Sequence, residues 1–309
     1  MIVITAATGN IGSVLLTRLL EAAPKANEEL RVIARDPGRL PDAVHGRVEV
    51  ITGSHADASV LDRAFNGADA VFWLVPPDAS KTPRDAWIEF TRPAAEALVT
   101  HGVGHVVGVS ALGRGTPAAD RAGLVSTSLD MDDLIAGTGV AYRALANPSF
   151  FENLLEEVES IRERGVFVDV VDAARKAPMV AVTDIAAVAA DLLLNRTWTG
   201  SDSTPILGPE DLSPNDLARI MTEQLGRPIR YERQSFDDLY NTLTRYGLNE
   251  EFAQAVVDMK RAKDHGLDAG VARTAETASS TTFEEWCARV LKPAVDTTTR
   301  RSPAEHSTT

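Results

Sequence analysis

The first 150 residues alternate between two textures, and this alternation constrains the fold more than any other feature of the chain. Short runs rich in β-branched residues are each followed by a longer stretch, rich in Ala and Leu, with helical spacing. The runs occupy residues 2–5, 31–35, 48–51, 70–75, 105–110 and 141–146. Because these runs are mostly apolar and lack the alternation of a half-exposed sheet, they are typical of strands buried on both faces of a parallel sheet. The sequence therefore predicts an α/β fold with a doubly wound parallel sheet covered by helices.

After Pro148 the pattern becomes less regular, and a smaller, mostly helical lobe is expected. Residues 184–194 share one apolar face, and Ser213 followed by Pro214 is typical of a capped helix start. Further helices are predicted over residues 149–161, 236–243, 250–263 and 283–291. We expect a first domain over residues 1–148, with helix 184–194 packed back onto it. A second lobe follows over residues 149–296, and a disordered polar tail over residues 297–309.

The charge balance restricts the partners of the chain. Its 309 residues include 31 Lys and Arg against 44 Asp and Glu, a formal net charge of −13. An acidic surface repels a phosphate backbone, so binding to nucleic acid is not expected. No apolar run reaches the roughly 20 residues of a membrane span, and the sequence opens without a signal-type segment, so we expect a cytoplasmic protein with no membrane partner. Cys287 is the only cysteine, which excludes a multi-thiolate site, and no bound metal is expected.

The segment TAATGNIG, residues 5–12, lies between the first predicted strand and the first predicted helix. In that position, backbone N–H groups at a helix N-terminus can hold the pyrophosphate of a dinucleotide. Gly9 would let the backbone approach the phosphates, and Gly12 would let the helix pack closely on the strand. A plain tight turn also explains two glycines three residues apart. Their place directly after a buried strand favours the dinucleotide.

Four stretches resemble the NmrA-like family of atypical short-chain dehydrogenases/reductases. The turn AATGNIG is similar to the family's GATGxxG, and ADAVFWLVPP (68–77) is similar to its fourth strand and the following loop. The segment from TGVAY to NPSFFEN (138–153) resembles its sixth strand, and FEEW (283–286) resembles its C-terminal ending. The resemblance implies a Rossmann fold, an NAD(P)(H) cofactor, and a protein that is a reductase, a redox sensor or a non-catalytic regulator.

The resemblance also implies which residues bind the cofactor. They are Ala7, Thr8, Gly9, Asn10, Ile11, Gly12, Leu74, Val75, Pro76, Ser110 and Phe150. Ala6 stands where the family has the first glycine of the turn, and we expect its backbone to avoid positive φ. At the end of the second strand, Arg35 follows a neutral Ala34 and can pair with the 2′-phosphate of NADP. NADP(H) is therefore favoured over NAD(H); the alternative is that Arg35 is a surface residue paired with Asp36.

No tyrosine is followed four residues later by a lysine, so the chain lacks the Tyr-x-x-x-Lys pair that donates a proton in reductases of the wider superfamily. The sequence therefore leaves the catalytic residues open. Ser110, at the end of the fifth strand, and Tyr142, in the sixth, are the candidate hydroxyls. Their alternatives are a turn hydroxyl for Ser110 and a core side chain for Tyr142. The acidic run of Asp130, Asp132 and Asp133 is interpreted as a solvated helix face.

Phe150, Phe151 and Asn153 follow the sixth strand, where the resemblance places the substrate, and packing between the lobes is the alternative role for the aromatic pair. Three functions stay open. One is an oxidoreductase that reduces a small apolar carbonyl, quinone or enone; another is a non-catalytic NADPH/NADP redox sensor or regulator. The third is a redox-neutral cyclase or isomerase of secondary metabolism. The expected partners are a small-molecule substrate and either a second copy of the chain or a regulated protein.

Overall fold

The computed structural model describes residues 1–44 and 46–297, and a parallel sheet of seven strands lies at its centre. The strands of the chain are β1 (Ile2–Ile4), β2 (Leu30–Ala34), β3 (Glu49–Thr52), β4 (Ala70–Trp73), β5 (His105–Ala111), β6 (Ala141–Asn147), β7 (Ser149–Phe150), β8 (Val166–Asp169), β9 (Ala177–Val180), β10 (Ser201–Pro205), β11 (Asp211–Leu212) and β12 (Arg230–Arg233). The central sheet has the order β10-β6-β5-β4-β1-β2-β3, and each neighbouring pair is parallel. All six predicted strands and the doubly wound α/β fold are confirmed.

Helices cover both faces of this sheet. They are α1 (Asn10–Ala26), α2 (Ala58–Phe65), α3 (Phe90–Thr100), α4 (Leu124–Ala136), α5 (Val158–Arg164), α6 (Val182–Leu194), α7 (Pro214–Leu225), α8 (Phe236–Arg245), α9 (Glu250–Asp264), α10 (Phe283–Trp286) and α11 (Lys292–Asp296). Successive strand residues point to opposite faces. Ile2 and Ile4 therefore pack with α1 and α6, while Val3 packs with α2, α3 and α4. Within the described ranges, no helix has the length and apolar character needed to cross a membrane.

The remaining elements form the smaller lobe. Its two small sheets have the orders β11-β9-β7 and β12-β8, and its own apolar core includes Phe151, Phe283 and Trp286. Glu152 ties this core to the main sheet layer, because its carboxylate accepts bonds from the indole of Trp286 and from the backbone N–H of Val182 at the start of α6, both at 3.0 Å.

Several predicted elements of the lobe are confirmed and one is wrong. The helices predicted over 184–194, 236–243 and 250–263 correspond to α6, α8 and α9; Ser213 caps α7, and segment 283–291 runs from α10 through a π-turn. The predicted helix over 149–161 is wrong. Residues 149–150 form β7, which pairs in parallel with β9, and a 3₁₀ segment follows, so that the regular helix α5 begins only at Val158.

The strand β10, with the sequence SDSTP, was not predicted because it is polar and contains a proline; it lies at the edge of the sheet, where such residues are tolerated. Of the predicted tail over 297–309, residues 298–309 lie outside the described residues.

The expectation that Ala6 avoids positive φ is wrong, since its φ is +50°. The positive φ directs the carbonyl of Ala6 toward the first helical turn of α1, which is why the loop between β1 and α1 requires it. That oxygen accepts the N–H of Gly9 at 2.9 Å, and a Cβ added at Gly12 would lie 2.2 Å from it. An L-residue in this region of φ costs about 1–2 kcal/mol.

We expect Ala6→Gly to raise the free energy of unfolding by about 1 kcal/mol, because glycine adopts positive φ without strain. Urea denaturation measures the change. Ala7→Gly is the matched control: Ala7 is buried and its φ is not positive, so the same replacement there should lower stability. An Ala6→Gly variant that loses stability would contradict a strained turn.

Candidate functional site

The carboxyl ends of β1 and β4 are held together by Thr5. Its Oγ1 donates to the carbonyl of Phe72 at 2.9 Å and accepts the N–H of Leu74 at 3.0 Å, in a fully buried position. Leu74, Val75 and Pro76 therefore follow β4 directly beside the glycine turn. Ligands of open α/β sheets bind at this edge.

The glycine turn fits a dinucleotide pyrophosphate. Thr8, Gly9 and Asn10 are exposed at the start of α1, while Ala7 and Ile11 are buried beneath them. The first-turn N–H groups of a helix have no partner within the helix, and the helix dipole favours an anion there. A Cβ at Gly9 would lie 3.3 Å from the carbonyl oxygen of Ala6. The turn is therefore narrow: the N–H of Gly9 is bonded to Ala6, and Thr8, Gly9 and Asn10 lie on its exposed side.

Arg35, the residue directly after β2, places a positive charge at this edge of the sheet. Arg35 is exposed, and it has no hydrogen-bond or ion-pair partner in the part of the chain that the structure describes. Asp36, the partner considered for it, instead accepts the N–H of Gly38 at 3.0 Å.

His55 lies within electrostatic range of Arg35 and remains neutral. Burial, with a smaller contribution from the charge of Arg35, lowers the pKa of His55 to about 4, against the opposing effect of a bond from Nε2 to the carbonyl of Leu74 at 3.0 Å. Its ring packs edge-on against Trp73 and Phe90.

A small chamber of about 200 Å³ lies at the carboxyl ends of β5 and β6, and we call it the Ser110 chamber. Its walls are Ser110, Ala111, Val125, Asn147, Pro148, Ser149, Phe150, Asn153, Met259, Lys260 and Lys263. The two lysines come from α9 and are both paired, Lys260 with Asp169 at 2.8 Å and Lys263 with Asp268. The chamber therefore joins residues that are about 150 positions apart in sequence.

A larger cavity of about 450 Å³ lies in the lobe next to the Ser110 chamber. Four residues line both spaces: Ser149, Asn153, Lys260 and Lys263. Much of the remaining wall is apolar, and it includes Leu154, Phe167, Met179, Leu212, Leu217, Leu239, Leu243 and Val256. The Ser110 chamber and the larger cavity are therefore neighbours that share one side of their walls.

A buried hydrogen-bond network lies behind the Ser110 chamber. Asp132, only 3% exposed, accepts the hydroxyl of Ser110 on Oδ2 at 2.5 Å and that of Tyr142 on Oδ1 at 2.6 Å. Burial raises the pKa of Asp132 to about 6, although both hydroxyls and Arg114, 3.5 Å away, favour its charged form. Burial and the neighbouring Asp132 also raise the pKa of Tyr142 well above its usual value.

The structure brings some predicted site residues together and separates others. Ser110, Phe150 and Asn153 line the chamber. Tyr142 does not; it is buried beside Asp132 and lines a separate outer cleft. Phe151 packs against Phe283 and Trp286 within the apolar core of the lobe itself.

Sequence reasoning missed two kinds of residue at this site. The interpretation of the acidic run as a solvated face is wrong for Asp132, which follows Val125, Ser128 and Leu129 on the buried side of α4. That i, i+3, i+4, i+7 spacing was visible in the sequence. No local signal indicated Lys260 and Lys263, because only the packing of α9 brings them to the chamber.

A family model described as NAD(P)H-binding matches residues 6–196. The chain belongs to this NAD(P)H-binding family. The resemblance to NmrA-like atypical short-chain reductases, within the NAD(P)-binding Rossmann superfamily, is confirmed with it. Among the described residues, no group of three or more His, Cys, Asp or Glu side chains is placed to hold a metal ion.

Relatives of this NAD(P)H-binding chain include several reductases. The (4-alkanoyl-5-oxo-2,5-dihydrofuran-3-yl)methyl phosphate reductase of Streptomyces griseus is 30% identical over 93% of the chain and 97% of the relative. Triphenylmethane reductase of Citrobacter sp., solved with NADP(H), is 20% identical with a TM-score of 0.76, and covers 95% of this chain and 99% of its own. An NADPH-dependent quinone oxidoreductase of Escherichia coli, solved with NADPH, is 23% identical with a TM-score of 0.75, over 92% and 98%. At such identity the two solved structures show a shared fold.

We expect Asp132→Asn to change how stability depends on pH. The pKa of Asp132 is about 6 in the folded state and about 3.9 in an unfolded chain, so the folded protein binds the proton more tightly and the wild type loses stability as pH rises between these values. Asparagine does not titrate. The difference in free energy of unfolding, variant minus wild type, should therefore become more positive by roughly 1 kcal/mol between about pH 5 and about pH 7, because only the wild type loses this contribution.

Urea denaturation at both pH values measures this change. Asp130→Asn is the control, since Asp130 is an exposed carboxyl on the same helix. Equal pH slopes for the two variants would show that Asp132 is ionised throughout this range.

Proposed function

We propose that the protein is an NADPH-dependent reductase of a small apolar carbonyl, quinone or enone. The observation that carries this proposal is the Ser110 chamber, which lies at the same edge of the sheet as the glycine turn and borders a cavity of about 450 Å³ in the lobe. In open α/β sheets the cofactor and its substrate meet at that edge. A reducible ring fits the smaller space, and its substituents fit the larger one.

The residues present fit the cofactor. The turn from Ala7 to Gly12 would hold the pyrophosphate, residues 74–76 would flank the ribose, and Ser110 and Phe150 would face the nicotinamide. When bound, the dinucleotide supplies a hydride. We place cofactor binding in residues 1–148 together with α6 and β10, which belong to the sheet layer, and substrate binding in the rest of 149–296.

The choice of NADPH over NADH rests on Arg35. A guanidinium without a carboxylate partner can bind a 2′-phosphate without first breaking an ion pair. Neutral Ala34 also leaves the end of β2 without the acidic side chain that a 2′-hydroxyl prefers.

The substrate class rests on the chemistry of the site. The larger cavity has an extended apolar wall that can take an apolar part of a substrate, although Glu156, Glu157, Asp169 and Arg175 also line it, and the Ser110 chamber combines apolar with polar side chains. The dihydrofuran ring in the name of the Streptomyces griseus relative's substrate contains a C=C bond conjugated to a carbonyl, and the Escherichia coli relative is named for quinones. Conjugated acceptors of both kinds take a hydride readily, which suits a site without the Tyr-x-x-x-Lys pair.

A redox sensor is the second candidate, because the Ser110 and Tyr142 hydroxyls both donate to Asp132 rather than into the chamber. The two candidates differ in turnover. NADPH fluorescence on mixing measures binding, and NADPH absorbance measures consumption with a panel of quinones, enones and aliphatic aldehydes. The reductase proposal predicts consumption with quinones or enones above the rate with aldehydes. Tight binding without consumption of NADPH by any acceptor would point to the sensor.

We expect Arg35→Ala to weaken NADPH binding by roughly 10- to 100-fold, since a charge-assisted hydrogen bond contributes about 1.5–3 kcal/mol. NADH binding should change little, because NADH has no phosphate on its 2′-oxygen. Fluorescence titration with each nucleotide measures both affinities. Arg230→Ala, on the distant strand β12, is the control and should change neither. Equal weakening of NADPH and NADH would contradict the role of Arg35.

A further inference from the structure

We propose that Asp132, acting through Ser110, delivers the proton that a reduction in the Ser110 chamber consumes. This inference rests on the proposed reductase function and deepens it. A reduction by hydride needs one proton for each turnover, and the chain lacks the tyrosine and lysine that supply it in related reductases.

Ser110 and Asp132 connect two separate spaces. Ser110 lines the chamber, and Asp132 lines the outer cleft, whose wall also includes Arg114, Tyr142 and Asp202. One hydrogen bond of 2.5 Å, between Ser110 Oγ and Asp132 Oδ2, joins the two. The side chain of Arg114 is 43% exposed, so the outer cleft reaches solvent. A proton can therefore pass from solvent to the chamber through two side chains.

The protonation state of Asp132 sets the direction in which the Ser110 hydroxyl points. When Asp132 is a carboxylate, it can only accept, so Ser110 and Tyr142 both donate to it and the Ser110 hydroxyl hydrogen points away from the chamber. Tyr142 donates to Oδ1, whereas Oδ2 accepts from Ser110 and also lies 3.5 Å from Arg114 Nη2; the relay requires the proton on Oδ2, because that oxygen faces Ser110. Once Oδ2 carries a proton it donates to Ser110 Oγ, and the Ser110 hydroxyl is free to donate to a ligand in the chamber.

The proton transfer balances as follows. The acceptor gains the hydride and develops negative charge on its oxygen. The O–H bond of Ser110 breaks as its proton moves to that oxygen, and the O–H bond of Asp132 breaks as its proton moves to Ser110 Oγ. Asp132 is left as a carboxylate and takes a new proton from water in the outer cleft. Ser110 is thus the residue that touches the substrate, and Asp132 acts through it.

The surroundings of Asp132 allow both its protonated and its ionised form. Burial disfavours the carboxylate, and the two hydroxyls with Arg114 stabilise it, so that its pKa of about 6 lies close to neutral pH. A general acid works best with such a pKa. Other charged or titratable groups on its helix and on the elements around it include Asp130 and Asp133 on α4, His105 on β5, Arg143 on β6, Asp202 on β10, Arg92 and Glu96 on α3, and Asp258, Lys260 and Lys263 on α9. Gly108 of β5 makes the arrangement possible, since a Cβ there would lie 2.2 Å from the Tyr142 hydroxyl.

The first test measures kcat/KM for menadione with saturating NADPH between about pH 5 and pH 8. Wild-type kcat/KM should fall as pH rises through about 6. Asp132→Asn keeps the shape and can donate to Ser110, but it has no proton to release; we expect a loss of about 100-fold near pH 5 and a flat pH profile. Ser110→Ala should match it, and Ser110→Thr should restore most of the rate. Asp130→Asn, exposed on the same helix, should keep the wild-type rate and profile.

A second test does not depend on turnover. Infrared spectra of the cofactor-free protein should contain the carbonyl band of a protonated carboxyl that disappears with a midpoint near pH 6 in wild type and Asp130→Asn, and is missing in Asp132→Asn. An Asp132→Asn enzyme with wild-type rate and pH profile, or no titrating band above pH 5, overturns the relay. A wild type that shows the band but turns over neither menadione nor any acceptor of the panel overturns the reductase function, and the relay with it.

Discussion

The close approach of α1 to the carbonyl of Ala6 is the constraint on which the rest of the structure depends. Gly12 has no side chain to keep the two apart, and Ala6 adopts a φ of +50° so that its oxygen meets the first turn of the helix. Because α1 begins so close to β1, its N–H groups face the carboxyl edge of the sheet, and α6 packs against its side. Thr5 then fixes the edge of β1 to that of β4. The strained backbone of Ala6 thus fixes the position of the N-terminus of α1, where an anion can bind.

Parts of the molecule follow from the sequence because their signals are local. The strands buried on both faces, the capped start of α7 at Ser213 and the glycine turn each occupy one short segment, and each was predicted. Long-range packing decided the rest. Residues 149–150 become a strand because β9 offers them hydrogen bonds, and Lys260 reaches the Ser110 chamber because α9 packs there. Asp132 lies between these cases, since its spacing on α4 indicated burial but its charge argued against it.

Burying Asp132 has a cost that local structure offsets. A carboxylate loses hydration on burial, and two hydroxyl donors replace part of it. Gly108 is needed because the Tyr142 ring occupies the space of its missing side chain. A role in stability alone would be served as well by apolar residues of similar volume. A buried acid between the outer cleft and a substrate chamber is more easily understood as a group that exchanges protons.

Charge connects the two ends of the site. A chain with a net charge of −13 repels a dinucleotide that carries several phosphates, and salt screens this repulsion only beyond roughly 10 Å. Local positive potential must therefore come from the helix dipole of α1 and from Arg35, whose charge no described carboxylate offsets. At the other end of the site, most of the cationic groups are paired: Lys260 with Asp169, and Lys263 with Asp268. The phosphate end of the proposed site would thus be positive, while the Ser110 chamber is close to neutral, which suits the apolar acceptor proposed above.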